Sequence, residues 1–166
     1  MRLAPAVALA AVLASACATV PSPGTPVIVD ASANFAAYQT FDFLPVPAGV
    51  PAVTPSLAYF GVDGVLARDL GTVGLARAIG GTPDLYFAYF AGGTPVDTQA
   101  WGYTTAGATP IAIADVPPTS LVVDAVDARS MKLVWRGVAQ GALVSPASVD
   151  PAIRQMLTLW PTPARN

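Results

Sequence analysis

The segment Asp84-Leu-Tyr-Phe-Ala-Tyr-Phe-Ala91 constrains the fold more tightly than any other part of the chain. It is apolar on both faces of a two-residue alternation. As a strand it has to be covered on each side, so it belongs in the middle of a sheet. A second unit fits beside it. Ser120 to Asp127, then Ala128 to Met131, then Lys132 to Ala139 reads as a β-hairpin whose connecting turn sets the register. Its alternation puts Val122 and Asp124 on one face and Val123 and Ala125 on the other. In one hairpin register Asp124 faces Arg136 across the strands, a candidate structural ion pair. Opposite charges so placed contribute roughly 0.2–1 kcal/mol, enough to fix register without any catalytic meaning. Asp127, ahead of Ala128-Arg129-Ser130, suits an Asx-type turn.

The remaining elements are shorter. Pro26 to Asp30 predicts a first strand, Asn34 to Tyr38 a turn carrying Phe35 and Tyr38 inward, and Thr40 to Leu44 a strand alternating aromatic with polar residues. Four prolines between Pro45 and Pro55 make that stretch a loop. Val62, Val65, Leu66, Leu70 and Val73 recur at helical spacing, which predicts one helix over 57–73 stopped by Gly74. Leu75 to Ile79 reads as a short strand and Gly80-Gly81 as a turn. Residues 96–118 carry no clear period: Gln99 to Thr104 fits a strand, and Ala106 to Pro118 a loop. Asp150-Pro151 supplies an N-cap and a first-turn proline for a last helix. Its apolar stripe is Val149, Ile153, Met156, Leu157 and Trp160, and Pro161 ends it. Together these predict an α+β domain: one mainly antiparallel twisted sheet with two helices packed on a face.

Composition removes much chemistry. The chain of 166 residues has eight Lys+Arg, ten acids that are all aspartate, no His and one Cys. Without imidazole there is no His general base and no Ser-His-Asp or Cys-His arrangement. One Cys cannot form an internal disulfide or a thiolate cluster. A net charge of −2 argues against nucleic acid as a partner. The closest aspartates, Asp124 and Asp127, lack the dense alternation of a calcium loop, and the Gly80-Gly81 and Gly92-Gly93 pairs are not followed by a P-loop lysine. No serine sits in a G-x-S-x-G setting. No catalytic, cofactor-binding or metal-ligating set is therefore expected, and no enzymatic activity. An aspartate-dependent hydrolase would require two carboxylates converging in a cleft, which the spacing does not suggest. Tyr86, Phe87, Tyr89, Phe90, Trp101, Trp135 and Trp160 read as core rather than as a ligand cage.

The N-terminal region has a separate logic. Met1-Arg2 precede an apolar run from Leu3 to Leu13 and the small residues Ala14-Ser15-Ala16. This is the layout of a secretory signal, and it is too short to span a bilayer. The single cysteine, Cys17, follows directly. Leu13-Ala14-Ser15-Ala16-Cys17 resembles the lipobox of bacterial lipoproteins, in which the cysteine is lipidated and becomes the first residue of the mature chain. Ala14-Ser15-Ala16 equally fits ordinary A-x-A cleavage, which would release a soluble protein, and Leu13 lies one place earlier than in the most typical lipobox. Since Ala18 is not Asp, the resemblance to enterobacterial sorting signals implies the outer membrane. The expected organisation is a signal peptide over 1–16, a lipidated cysteine and tether over 17–25, one domain over 26–162 and a tail over 163–166.

Several ordered pieces resemble the bacterial lipoprotein family known as domain of unknown function 4136. They are Asp30, Phe35, and Tyr38-Gln-Thr-Phe-Asp-Phe43; Leu70 and Gly74; Pro83-Asp84-Leu85; and Leu121-Val-Val-Asp124-Ala-Val-Asp127 with Leu133-Val-Trp-Arg-Gly137. A closing helix from Ile153 to Pro161 completes the set. The chain departs in having Pro118-Thr119 where the family usually has a Glu-Gly pair, and in Gly/Ala-rich helices. The resemblance implies an envelope lipoprotein with no assigned activity and no catalytic residues. The expected function is a binding or structural module, anchored through Cys17 on the periplasmic side of the outer membrane and working with an envelope protein partner. The alternative is a periplasmic carrier of a small apolar ligand.

Overall fold

The computed structural model describes residues 27–49, 55–105 and 112–161. In chain order these form β1 (Val27–Val29), a 3-10 turn at Phe35–Ala37, β2 (Thr40–Phe43), α1 (Pro55–Tyr59), α2 (Val62–Leu70), β3 (Ala76–Arg77), β4 (Leu85–Ala91), β5 (Leu121–Asp127), β6 (Lys132–Ala139) and α3 (Pro146–Leu157). Six strands make one sheet in the order β1-β6-β5-β4-β2-β3. The expected central strand is β4, flanked by β5 and β2.

The sheet is mixed, not mainly antiparallel, and three helices accompany it rather than two. β1, β6, β5 and β4 pair antiparallel, but β2 runs parallel to both of its neighbours, β3 and β4. Periodicity is blind to strand direction, which is decided by the connections. The helices between β2 and β3 form a crossover that returns the chain to the same edge in the same direction. The way back from β3 to β4 is short because β3 has only two residues. Gly80 and Gly81, at φ 75° and 77°, turn it across the start of β2 in a conformation that glycine alone adopts without strain.

The single helix expected over 57–73 is divided. Gly61 takes a left-handed conformation (φ 64°) and separates α1 from α2, while Gly71–Val73 tightens into a 3-10 turn before Gly74 at φ 90°. The last helix begins at Pro146, ahead of the expected Asp150-Pro151 start. Ser145-Pro146 offers the same cap-and-proline signal earlier, and Pro151 is accommodated inside the helix.

Both faces of the sheet are covered. On one, Leu85, Phe87, Leu121, Val123, Ala125 and Trp135 meet Leu66, Leu70, Val149, Ile153, Met156 and Trp160 from the helices. On the other, Ala88, Phe90, Val122, Val126, Leu133 and Val138 are covered by Trp101, Tyr103, Ile113 and Val116. That cover comes from the segment between β4 and β5, a strap whose described residues form no regular strand, although Gln99 to Thr104 fits one by sequence. Its contribution is a single bridge, Thr104 to Lys132, with the Leu133 amide donating to the Thr104 carbonyl at 2.8 Å. In β6 a bulge opposite Ala125 and Val126 turns both Val134 and Trp135 toward the helices.

The helices are tied to each other by charge. Arg68 of α2 reaches Asp150 of α3 at 2.9 Å, and Arg154 also pairs with Asp150. Buried Asp69 accepts from Arg68 at 2.7 Å. Arg154 and Arg68 hold the Asp150 carboxyl below the ordinary carboxylate range, against an opposing push from burial.

Candidate functional site

The hairpin brings Asp124 and Arg136 face to face, in the register that pairs them directly. Arg136 Nε donates to Asp124 Oδ1 and Nη2 to Oδ2, both at 2.6 Å, the bidentate fork that suits guanidinium and carboxylate. Tyr103 of the strap donates its hydroxyl to Asp124 Oδ2, also at 2.6 Å. Asp124 is 0% exposed, Tyr103 0% and Arg136 3%. Burial disfavours the charged guanidinium, but the hydrogen bonds and charge of Asp124 outweigh it and raise the Arg136 pKa. Burial and the Asp124 charge push the Tyr103 hydroxyl far up, so it remains a donor at every ordinary pH. The cluster fastens the strap to the sheet. Within it the Arg136 guanidinium and the Asp124 carboxylate form a buried ion pair. Tyr103 lay in the stretch without a clear period, and nothing in its sequence neighbourhood marked it as a partner of Asp124.

A different set of side chains lines open space. Two adjoining clefts of about 450 and 330 Å³ share Ala37, Tyr38, Asp127 and Arg129 as their common wall. The first lobe adds Asp30, Ser32, Asn34, Ser130 and Lys132; the second adds Thr82, Pro83 and Asp84. The β1–β2 connection, the start of β4 and the β5–β6 turn meet here at one end of the sheet.

The acids in this cleft are held by the backbone. Asp127 Oδ1 accepts from the amides of Arg129 and Ser130 and from the Ser130 hydroxyl, forming the Asx-type turn, while Oδ2 accepts from Tyr38 at 3.0 Å. Asp84 Oδ2 accepts from the amides of Gln39 and Thr40 and from the Thr40 hydroxyl, pinning β2 to the start of β4. Asp30 Oδ1 accepts from the Ser32 amide and hydroxyl. Among the described residues, Arg129 and Lys132, which line the cleft, make no direct ion pair. Spacing kept Asp30, Asp84 and Asp127 far apart in sequence, and only the fold brings them together. Among the described residues no group of three or more His, Cys, Asp or Glu side chains is placed to hold a metal ion.

The amide donors of Gln39 and Thr40 hold the Asp84 carboxyl below the ordinary carboxylate range. For Asp127, burial pushes the pKa up, and the Ser130, Tyr38 and Arg129 hydrogen bonds more than offset it. A carboxylate with a depressed folded pKa contributes stability above its unfolded value, about 3.9, and that contribution is lost as pH falls through the folded value. Urea midpoints should therefore drop as pH is lowered below about 4. The slope should flatten in Asp84→Asn and Asp127→Asn; an unchanged slope in both would show that these carboxylates do not carry the acid sensitivity.

A third, open groove of about 580 Å³ lies over the strap, lined by Pro95, Val96, Asp97, Thr105, Ile113 and Arg136 among others. None of these three clefts lies between the helices and the sheet. That interface is filled by Leu66, Leu70, Phe87, Trp135, Ile153 and Met156, each less than 2% exposed. Cys17, the tether and the C-terminal tail lie outside the described residues. No helix among the described residues is long and apolar enough to cross a membrane.

A family model described as "Domain of unknown function (DUF4136)" matches residues 27–161. No curated protein matches the chain. Among solved structures, a PDZ domain protein from Parabacteroides distasonis is similar in fold, with a TM-score of 0.51 and 14% identity over 85% of this chain. The chain spans only 36% of that protein's length.

Proposed function

The chain belongs to the DUF4136 family, and from that premise we propose that it is an envelope lipoprotein anchored to the outer membrane through Cys17, its domain serving as a periplasmic binding or structural module. The observation that carries this reading is the placement of the chain's one cysteine directly after Leu13-Ala14-Ser15-Ala16 and ten residues ahead of Val27, where the family domain begins. Several acyl chains, at about 0.8 kcal/mol per buried CH2, would hold such a protein firmly. Within the domain, the cleft of Tyr38, Asp84, Asp127, Arg129 and Lys132 is the surface best suited to a polar partner. Its carboxylates are preset by backbone amides and its two cations make no direct ion pair among the described residues.

Metabolic labelling with a palmitate analogue tests the anchor. The native chain should take up label and sediment with membranes, and Cys17→Ala should do neither. An unlabelled native chain, or label that survives Cys17→Ala, would overturn the reading.

A further inference from the structure

The two ends of the sheet differ in charge, and the chain enters at one of them. Val27 pairs with Gly137, toward the far end of β6 from Lys132. Leu121 pairs with both Ala91 and Ala139, so the close of β4, the start of β5 and the close of β6 lie together at the entry end. The loops there are joined by the Gly92 amide to the Ser120 carbonyl at 2.9 Å and the Leu143 amide to the Thr119 carbonyl at 2.8 Å. Residues 91–96, 113–121 and 137–149, which build this end, contain one charged side chain, Asp115. Val144 is 68% exposed there, and Pro117, Pro118 and Pro146 are exposed beside it. The opposite end holds the cleft, with Asp30, Asp84, Asp127, Arg129 and Lys132. The eight residues of β6 separate the two ends by about 25 Å.

We infer that the charge-poor end, around Val144, Pro117 and Pro118, is the face the domain rests against the lipid bilayer, so that the polar cleft points away from the membrane. This rests on the reading of Cys17 as the lipid anchor. Two independent features point the same way. The ten steps from Cys17 to Val27 span about 17 Å as flexible coil and about 31 Å as an extended polyproline chain, so the entry end stays within about one domain length of the bilayer. Resting on the cleft end would instead require the tether to run back along β6 from Gly137 to Lys132, about 17 Å, which uses its whole coil span. Residues 18–26 are themselves uncharged. Contact through the cleft end would also strip water from five charged side chains, whereas contact through the entry end brings exposed Asp115 to the interface, with exposed Asp97 just beyond it.

The test uses the lipidated full chain reconstituted in vesicles of phosphatidylethanolamine and phosphatidylglycerol. Lipidation consumes the Cys17 thiol, so Val144→Cys and Arg129→Cys each add one attachment point for an environment-sensitive fluorophore, read against brominated phospholipids. Quenching several-fold greater at position 144 than at 129 is expected. Equal quenching at both positions, or greater quenching at 129, overturns the orientation while leaving the anchor intact. A chain that fails to float with the vesicles overturns the anchor reading itself, and the orientation with it.

Discussion

Replacing Arg136 with alanine is expected to lower the stability of the domain by about 3–5 kcal/mol, because it leaves the Asp124 carboxylate buried without its counter-charge. The size of the loss comes from the asymmetry between breaking a buried pair and removing it. Moving a carboxylate out of water is costly, and the 2.6 Å bidentate contact offsets that cost only while both partners remain. Removing the whole cluster should therefore cost less than breaking it. The triple change Tyr103→Phe/Asp124→Leu/Arg136→Met leaves neither an uncompensated charge nor an orphaned hydroxyl, and should recover much of the loss. Tyr103→Phe alone removes one hydrogen bond to a charged acceptor and should cost about 1–3 kcal/mol. Urea denaturation followed by far-UV circular dichroism measures all three. An Arg136→Ala loss below about 1 kcal/mol would mean that Asp124 is not held as a buried anion.

Gly92→Ala is the second change with a large expected effect. A Cβ built on Gly92 would stand 2.2 Å from the Pro117 carbonyl oxygen and 2.9 Å from that of Val116. Both are backbone atoms, so no side chain can swing aside, and the strap has to lift from the sheet where it leaves β4. A loss of about 3 kcal/mol is expected, at the upper end for overpacking. Trp101 packs edge-to-face on Phe90 with ring centroids 5.1 Å apart, so its emission should shift to the red as the strap loosens. The control is Gly64→Ala in α2, where a new Cβ meets nothing within 4 Å. In that helix the same substitution should stabilise by up to about 1 kcal/mol. If the two glycine changes gave equal effects, the close approach at Gly92 would not be what holds the strap.

These expectations rest on contacts that were unevenly visible in the sequence. The two-faced apolar run at 84–91 announced a central strand because burial on both sides leaves no polar face to alternate with. The hairpin was visible for the same reason, and strand alternation alone put Asp124 on the correct face. The helical stripe through Val62, Leu66 and Leu70 was equally plain, since each of these residues faces the sheet. The break at Gly61 was not, because glycine inside a helical pattern can signal either a weak helix or a left-handed stop, and only its observed φ decides. The third helix and the parallel pairing of β2 were missed together. Both belong to the crossover, whose helical period shows neither where its helix breaks nor which way the chain returns to the sheet.

The polar cleft was the least visible feature. Asp30, Tyr38, Asp84 and Asp127 were each noticed in separate motifs, yet the long spacing between them hid their convergence. Hydrogen bonds such as Tyr38 to Asp127 cross 89 positions of sequence. No local pattern encodes a contact of that length.

What the sequence alone determined were the first two strands, the central strand and the hairpin, the face on which Asp124 lies and the position of Cys17 ahead of the domain, because burial and alternation act between near neighbours. What only the tertiary structure decided was direction and meeting: the mixed sheet, the strap fastened by Tyr103, and the gathering of three aspartates and two cations at one end. These depend on how connections route the chain and on which distant surfaces then close against each other. That information lies in the sum of all the contacts and in no single stretch of residues.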